Sequence, residues 1–479
     1  MLSYIVLLPG VIAVLFLEYR FTATIHQSGK TKAVALAFIC IYLPVLIMLP
    51  QIFEAKIKGL PDFSFAQSAI LPIFIAALIA ALFVPSRSIF RLRKGLPVLD
   101  FFVIAYVVVR VCSEYIVGVD EEPSLIGSLW VSVLWSSLLG VFLPYFLAKW
   151  FVHPYGFSEK AAKIIVICTI VTIIICVYEW RFVVNTHNRF FSMFFPAAAF
   201  ELPNPSYRFG WVRIRGSFIH PILFGTMIST SIFLNYWLTK NGFWKKNFSF
   251  LSFPSKVKGH MLSLTLFVGL ILTFSRGPLL GLMLGGLFIG IGFSRKGFFL
   301  SFTIRMIVFA TIGIVIYQGY LYYAELNREV EGTRIADSAI YRIELLGKYI
   351  QYVFEKPWWG WGEHGMPEVR GYSSVDNNYL WIALKHGLLA VAFLLAIFVV
   401  TGIRLLNTGR KIARTNVLDR SLAFTLLAIF IMQGATYLTV YMGGQNVPIF
   451  FLLVGWSEGF LRFVPKKQRL RHANLQSTY

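Results

Sequence analysis

The chain has 479 residues, of which 57% are apolar, 17% are aromatic and only 14% are charged. A soluble protein carries about 25% charged and 45–50% apolar residues. Here apolar runs of roughly 16–25 residues recur along the whole chain, which is typical of a polytopic α-helical membrane protein. This pattern excludes a disordered chain, a disulfide scaffold and a β-barrel. The net charge of +22 is explained by basic loops against anionic lipid headgroups, and no nucleic-acid partner is expected.

Thirteen segments are predicted to span the membrane. They lie near residues 2–17, 33–53, 66–84, 97–117, 125–148, 164–179, 217–238, 259–274, 278–293, 301–323, 376–402, 421–441 and 447–462. The first segment lacks a basic stretch before it and a small-residue cleavage site, so it is interpreted as a retained span and not as a signal peptide. The predicted fold is an all-α, polytopic transmembrane helix bundle of about 12–13 spans.

Lysine and arginine decide the orientation of the spans, because these residues are enriched in loops on the cytoplasmic side. With the N-terminus outside and the spans alternating, most of the 44 basic residues fall in inside loops or in the C-terminal tail. Two outer connections are long, and long loops commonly carry function. The predicted regions are N-terminal spans (1–179), an Arg-rich outer loop (180–216), central spans (217–323), a large outer loop (324–375) and C-terminal spans with a basic inside tail (376–479).

The first of the two long outer loops, 180–216, is rich in arginine and contains no lysine. Its five arginines are Arg181, Arg189, Arg208, Arg213 and Arg215. Arginine is the side chain best suited to bidentate contacts with phosphate. Positive charge on the side where the charge rule disfavours it therefore predicts an anionic substrate outside the membrane, with contacts to lipid headgroups as the alternative.

The sharpest local feature is the segment 273–278, Thr-Phe-Ser-Arg-Gly-Pro, which joins two apolar runs through a tight outer turn. A single arginine in such a turn costs free energy unless it is paired or lies in a polar cavity. The spacing Gly277-x3-Gly281-x3-Gly285, overlapped by Gly286-x3-Gly290, lets another helix approach closely. We therefore expect the hairpin inside the bundle with Arg276 held rigidly, and snorkelling of Arg276 to the interface is the alternative.

A second feature leads into the span near 217–238. Arg213, Arg215 and Gly216 precede His220-Pro221, and the amino end of that helix faces outside. Such an end carries partial positive charge and free N–H groups, which suit an anion. His220 could take part in proton transfer, and a structural role at the interface is equally compatible with its position.

The large outer loop contains a predicted amphipathic helix. Apolar residues recur at helical spacing from Ile335 to Phe354, with Arg342 among them, so this helix is expected to lie along the outer membrane surface. The Trp- and Gly-rich segment 357–365 follows. Its aromatic rings could lie at headgroup level or stack on sugars, and the sequence does not choose between the two.

Polar residues at the start of the next span form the last feature. Asp376 could act as general base for a sugar hydroxyl, and its alternative role is an N-cap. Lys385 lies nine residues further on, about 13 Å deeper along a helix, where it could reach a phosphate or pair with a carboxylate. Earlier in the chain, Arg110 and Glu114 are one helical turn apart and are predicted to form a neutralised pair.

These features, in this order, resemble the O-antigen ligase and O-antigen polymerase family of bacterial membrane glycosyltransferases. The matching positions are Arg213-x-x-Gly216-x-Phe218-x-x-Pro221, Ser275-Arg276-Gly277, Arg342 ahead of Pro357-x-x-Gly360-x-Gly362, and Asn377-x-Tyr379-Leu380 followed by Gly387-Leu388. The resemblance covers roughly residues 200–400, and the first 180 residues match only as generic spans.

The resemblance implies about a dozen helices and a metal-independent, cofactor-free, inverting transfer of a glycan from undecaprenyl diphosphate. The reaction would occur at the periplasmic face of the bacterial inner membrane, with the N-terminus periplasmic and the C-terminus cytoplasmic. By this analogy Arg276, with Arg213 or Arg215, would hold the diphosphate and stabilise the leaving group. The residues Arg342, Asn377, His220 and Lys385 are further predicted substrate contacts.

The sequence departs from the family pattern at two positions. Ligases of this family usually carry histidine where this chain has Asp376, and His364, twelve residues earlier, is an alternative catalytic group. The acidic residue common before the Gly-Leu pair is replaced by Lys385. Both departures favour a polymerase of lipid-linked repeat units over a ligase that uses a lipid A-core acceptor. A chain-length regulator is an expected partner of such a polymerase, and a transporter or flippase of the lipid-linked sugar is the hypothesis from another class.

Overall fold

The computed structural model of the chain describes residues 2–22, 27–57, 61–82, 97–121, 126–195, 204–208, 210–245, 248, 252–293, 303, 307, 334–363, 365–369, 374–412 and 416–476. Its helices are α1 (Leu8–Thr22, preceded by a 3₁₀ turn at Leu2–Leu7), α2 (Gln27–Ala37), α3 (Leu43–Met48), α4 (Phe65–Leu82), α5 (Val98–Glu121), α6 (Ile126–Ser137), α7 (Leu143–Phe151), α8 (Ser158–Phe182), α9 (Thr186–Ser192), α10 (Pro221–Lys240), α11 (Ser255–Leu272), α12 (Arg276–Phe293), α13 (Arg334–Glu355), α14 (Asn378–Lys411), α15 (Val417–Thr436) and α16 (Asn446–Gln476).

Two π-helical segments join helices end to end. Phe38–Tyr42 connects α2 to α3, and Leu138–Phe142 connects α6 to α7. Each segment is followed at once by a helix with proline in its first turn, Pro44 in α3 and Pro144 in α7. Because proline cannot donate a backbone hydrogen bond, the wider turn absorbs the missing bond and the chain continues as one membrane-spanning rod.

The predicted all-α polytopic bundle is confirmed. Within the described residues, ten helices are long and apolar enough to cross a membrane. The predicted spans 66–84 and 97–117 correspond to the shorter apolar α4 and to α5, whose interior carries the polar residues Arg110, Ser113 and Glu114. The predicted span 301–323 lies outside the described residues except for 303 and 307.

The functional motifs meet at one end of the bundle, which we call the site end. The carboxyl ends of α8, α11 and α15 and the amino ends of α10, α12, α14 and α16 lie there. Backbone bonds tie these ends together: Ile214 N–H donates to Leu272 O at 3.2 Å, and Asn378 N–H donates to Tyr437 O at 2.9 Å. Two short antiparallel hairpins pair Glu54–Ala55 (β1) with Phe63–Ser64 (β2) and Tyr207–Arg208 (β3) with Trp211–Val212 (β4).

The glycine face of α12 packs directly on α15, as the glycine spacing predicts. A Cβ atom on Gly281 would lie 2.6 Å from Met432 O, and one on Gly285 would lie 2.5 Å from Ala428 O. Gly286, on another face, has no atom within 4 Å of that position. The small residues therefore let the two backbones approach closely, and this packing fixes the position of the turn that precedes α12.

The opposite end of the bundle is held by buried charges. Lys149 Nζ contacts Asp100 at 2.5 Å, and Arg462 reaches Asp100 at 3.3 Å. Glu458 is fully buried and accepts from Arg404 at 2.5 Å and from Arg462 at 2.7 Å. Removing one partner of such a buried pair is strongly destabilising, because a charge would be left without compensation. This network therefore fixes the bundle at the end remote from the functional motifs.

Candidate active site

Two arginines clamp the turn between α11 and α12. Arg208 donates to Phe274 O at 2.7 Å, and Arg213 donates to Thr273 O at 2.9 Å and to Ser275 Oγ at 3.0 Å. Phe274 has a φ of +46°, a left-handed conformation that is unfavourable for a bulky residue. The guanidinium groups of Arg208 and Arg213, from the segment before α10, thus hold the turn in its shape. The Arg213 side chain is buried there.

Arg276 is the residue that this turn presents. It is the first residue of α12 and its side chain is exposed. No ion pair or hydrogen bond of its guanidinium is found in the part of the chain that the structure describes. The amino end of α12 adds partial positive charge beside it. The two arginines therefore fix the backbone from which Arg276 projects, and the exposed guanidinium of Arg276 is accessible to an anion.

The segment after α15 connects Arg276 to the start of α14. Gly277 lies against Thr439, and Thr436 Oγ1 donates to Gly277 O at 3.5 Å. Three residues after Thr439, Met442 donates its backbone N–H to Asn378 Oδ1 at 2.8 Å. The segment 436–442 thus contacts both the α12 turn and the α14 start, which brings the two motifs to neighbouring positions.

The helix start at α14 corrects one prediction. The N-cap is Asn377, whose Oδ1 accepts from Tyr379 N–H at 3.0 Å and from Leu380 N–H at 3.2 Å. The interpretation of Asp376 as the cap is therefore wrong, since the side chain one residue later fits the cap geometry. Asp376 is half-buried and accepts a hydrogen bond from Ser374 Oγ at 2.8 Å. Burial and, second, the charge of Asp376 raise the pKa of Tyr441.

A buried carboxylate on α8 organises the segment before α10. Glu179 is 4% exposed and accepts from Gly216 N–H at 3.0 Å and from Arg215 N–H at 3.3 Å. Asn185 donates to Glu179 at 2.8 Å and to Gly216 O at 2.8 Å. Burial lowers the pKa of the Arg215 guanidinium, while Glu179 opposes that shift. The Arg215 guanidinium also donates to Asn204 O at 3.4 Å, so this buried arginine is tied to its own loop.

A cleft of about 330 Å³ opens beside these residues. It lies between the end of α8, α9 and the strand β4, and three of the five loop arginines line it together with Glu179. Its lining residues are Glu179, Val183, Val184, Asn185, Asn188, Arg189, Ser192, Pro205, Ser206, Val212, Arg213 and Arg215. Arginine, amide and hydroxyl side chains line the cleft, so it favours an anionic or strongly polar ligand.

Helix α14 is broken where the Trp- and Gly-rich segment meets it. Gly387 has φ +79° and ψ 174° inside the helix. The freed carbonyls of Leu384 and Lys385 accept from Trp361 N–H at 2.7 Å and Gly362 N–H at 2.9 Å, and Leu388 N–H donates to Pro357 O at 2.7 Å. The inserted loop thus replaces the helical bonds that the break removes, as irregular backbone inside a membrane protein requires.

Polar side chains of α5, of α14 and of the inserted loop line this break. Lys385 Nζ pairs with Glu363 Oε1 at 2.5 Å and lies 4.2 Å from the centre of the Trp381 ring. Glu114 accepts from the Glu363 backbone N–H at 2.9 Å, and Arg110 donates to His386 Nε2 at 3.4 Å. Of the two roles predicted for Lys385, pairing with a carboxylate is the one seen. Arg110 and Glu114 serve the broken helix, whereas the sequence predicts a simple pair between them.

The remaining predicted residues have different outcomes. His220 is the N-cap of α10, and its Nδ1 accepts from Ile222 N–H at 3.2 Å. Arg342 belongs to α13, but its side chain is not among the described ones, and His364 lies outside the described residues. Leu345, Tyr349 and Val353 of α13 pack against the start of α14. The exposed Leu346 and Phe354 lie on the face predicted to meet the membrane.

Several residues of the site have no conspicuous sequence signal. Glu179 stands near the end of an apolar run. A lone carboxylate there costs free energy, and that cost is the signal by which it could be noticed. Glu363 lies between a glycine and a histidine, and Thr436 and Thr439 lie at the end of α15 and just after it. The positions of these residues depend on contacts between distant parts of the chain.

Comparison with known proteins agrees with the motifs. Residues 261–395 match the sequence model of the O-antigen ligase family. No curated protein matches the chain. The matched region includes the Arg276 turn, Arg342, the Trp- and Gly-rich loop and the broken start of α14, whereas the Arg-lined cleft precedes it. The resemblance is thereby confirmed over residues 261–395, and this multi-pass membrane protein contains a segment that is similar to the O-antigen ligase family.

Proposed function

We propose that the protein is a membrane glycosyltransferase that polymerises undecaprenyl-diphosphate-linked oligosaccharide repeat units into O-antigen or exopolysaccharide. The observation that carries the proposal is the exposed Arg276 at the start of α12, in a turn clamped by Arg208 and Arg213. The reaction is assigned to the periplasmic face of the bacterial inner membrane, because the site end is the outer end when the basic loops lie inside.

Arg276 is assigned to the diphosphate of the donor. The bond between the anomeric carbon and a diphosphate oxygen breaks during transfer, and its electron pair leaves with the diphosphate. A guanidinium that projects from a fixed turn beside a helix amino end would stabilise that growing charge more than it stabilises the bound donor. Arg213 supports this role by fixing the turn, and its own contact with substrate remains a prediction.

Asp376 is assigned as the general base. It would take the proton of the acceptor hydroxyl while that oxygen forms its bond to the anomeric carbon from the side opposite the diphosphate. This direct displacement inverts the anomeric configuration and needs no covalent intermediate. The neighbouring Asn377 cap orients the helix start, and Ser374 donates to the Asp376 carboxylate. His364 remains the alternative catalytic group.

Polymerisation is favoured over ligation by the two departures from the ligase pattern. Asp376 stands where family ligases usually carry histidine, and Lys385 replaces an acidic residue. In this fold Lys385 forms an ion pair with Glu363. The carboxylate near that position therefore comes from the inserted loop and is paired with a lysine. A lipid-linked repeat unit would be both donor and acceptor, and a chain-length regulator would be a natural partner.

The test is a glycan profile of a deletion strain that separates lipid A-linked, undecaprenyl-linked and released polysaccharide. The strain is complemented with the wild type, with Arg276→Ala, with Arg276→Lys and with Arg410→Ala, an exposed arginine at the opposite end of the bundle. Single repeat units in the deletion strain are expected. Arg276→Ala should leave the protein in the membrane but restore no long chains, Arg276→Lys should restore few, and Arg410→Ala should restore all of them.

Other profiles would assign a different reaction. Full-length chains stranded on undecaprenyl diphosphate would show that the protein is a ligase with a lipid A-core acceptor. Repeat units trapped on the cytoplasmic side would show a flippase. Normal chain lengths with Arg276→Ala would remove the basis for the proposal.

A further inference from the structure

The Arg-lined cleft has two arginines that the fold uses, Arg213 and Arg215, and a third, Arg189, that lies exposed at its edge. Glu179 is satisfied by two backbone N–H groups and Asn185. Burial lowers the pKa of the neighbouring His187 to about 4, so its ring adds no charge at neutral pH. Arg189 therefore offers this cleft a cation that an anionic ligand would complement.

Arg189 is the part of the cleft most accessible to a ligand. It lies in the last turn of α9, its side chain is exposed, and the described residues give its guanidinium no ion-pair or hydrogen-bond partner. Arg213 and Arg215 form the opposite, buried wall. Asn188 and Ser206 line the space between these walls. Amide and hydroxyl groups beside a planar cation are suited to sugar hydroxyls and a carboxylate.

The cleft is built from a different part of the sequence than the turn that carries Arg276, the residue assigned to the diphosphate. The match to the O-antigen ligase family begins at residue 261, so the cleft residues at 179–215 precede the region that holds Arg276. Arg213 connects the two places, since it lines the cleft and also bonds Ser275, the residue before Arg276. A sugar attached to a diphosphate at Arg276 would therefore be close to the cleft mouth.

We propose that this cleft binds an acidic sugar of the lipid-linked repeat unit, with Arg189 as the residue that recognises its carboxylate. The proposal rests on the proposed function, because it assigns the substrate class of the same site. A volume of about 330 Å³ is at the small end of the range for ligand sites and suits one or two sugar rings. Arg189 is a specificity-determining residue in this view, while Arg213 and Arg215 supply the charged wall.

The experiment measures equilibrium binding to the purified full-length protein in detergent. The probes are a free tetrasaccharide that contains one hexuronic acid, the same tetrasaccharide with its carboxyl group reduced to an alcohol, and inorganic pyrophosphate. The variants are Arg189→Gln, Arg189→Lys and Arg181→Gln. Arg181 is the matched control, because it is exposed in the same loop, lies 5.6 Å over the Phe182 ring and does not line the cleft.

The wild type should bind the acidic probe about tenfold or more tightly than the reduced probe. Arg189→Gln should remove that preference and leave binding of the reduced probe unchanged. Arg189→Lys should keep part of the preference, and Arg181→Gln should keep all of it. Equal binding of both tetrasaccharides to the wild type would overturn the proposal, and so would a preference that survives Arg189→Gln.

A third outcome would assign the cleft to another group. If Arg189→Gln weakens pyrophosphate binding and leaves the preference between tetrasaccharides intact, the cleft is part of the diphosphate site and the proposal fails. Because the probes are free oligosaccharides and no transfer is measured, this result is independent of the glycan profile that tests the proposed function.

Discussion

The backbone of Gly387 is in direct contact with the carbonyl group of Trp358, which occupies the position that a Cβ atom on Gly387 would need. This contact lies at the break of α14, where the Trp- and Gly-rich loop enters the helix. Hydrogen bonds explain the geometry of the loop, because it satisfies three backbone groups that the break frees. The break therefore anchors the large loop close to the start of α14.

Gly387→Ala is expected to disrupt this anchor. A φ of +79° is unfavourable for alanine, and its Cβ atom would collide with backbone that cannot move aside easily. The thermal unfolding temperature in detergent should fall, and glycan transfer should fall with it. Gly402→Ala is the matched control in the same helix, since the nearest atom to its Cβ position is 3.7 Å away. Equal unfolding temperatures for the two variants would contradict the role given to the contact.

The packing of α12 on α15 gives a second paired prediction. Gly281→Ala would place a Cβ atom 2.6 Å from Met432 O, whereas Gly286→Ala would meet nothing within 4 Å. Alanine is favoured over glycine inside a helix by roughly 0.5–1 kcal/mol. The Gly286 variant should therefore unfold at the same or a slightly higher temperature than the wild type, and the Gly281 variant at a lower one. A reversed order would show that the glycine face does not set the distance between these helices.

The sequence predicts the spans and the turn around Arg276 well, because both depend on local patterns. Apolar run length identifies membrane helices without knowledge of their neighbours. The spacing of Gly277, Gly281 and Gly285 predicts the close helix contact that is found. These are properties of one segment and its period.

The sequence does not predict which polar side chains meet across the bundle. Lys385 and Glu363 are 22 residues apart in the sequence, and nothing local shows that a loop enters the helix that carries Lys385. The cap at Asn377 and the pairing of Arg110 with His386 depend on the same long-range arrangement. Arg213 illustrates the difference further, because its residue type suggests an anion ligand whereas its bonds to Thr273 and Ser275 give it a structural task.

His187 is expected to make the Arg-rich loop sensitive to acid. Burial lowers its pKa from 6.5 to about 4, so the unfolded loop binds a proton between these pH values and the folded loop does not. Stability is then complete above about pH 6.5 and is lost as the pH falls toward 4, by about 2 kcal/mol at pH 5. His187→Phe keeps the buried ring and removes the proton site. Thermal unfolding at pH 8 and pH 5 should show a smaller difference for this variant than for the wild type, and an unchanged difference would assign the acid sensitivity to other groups.

Asp376 is the residue on which the proposed chemistry depends most directly. Asp376→Asn keeps the size and the hydrogen bond with Ser374 but removes the proton acceptor, so turnover of lipid-linked repeat units should fall about 10²–10⁴-fold, the usual contribution of a positioned base. Substrate affinity and the amount of protein in the membrane should change little, because the cap at Asn377 remains. Ser374→Ala, which removes only the hydroxyl at 2.8 Å from the carboxylate, serves as the control and should lower turnover only several-fold. If Asp376→Asn turns over at the wild-type rate while His364→Ala does not, the base is His364 and the displacement is driven from the loop that precedes α14.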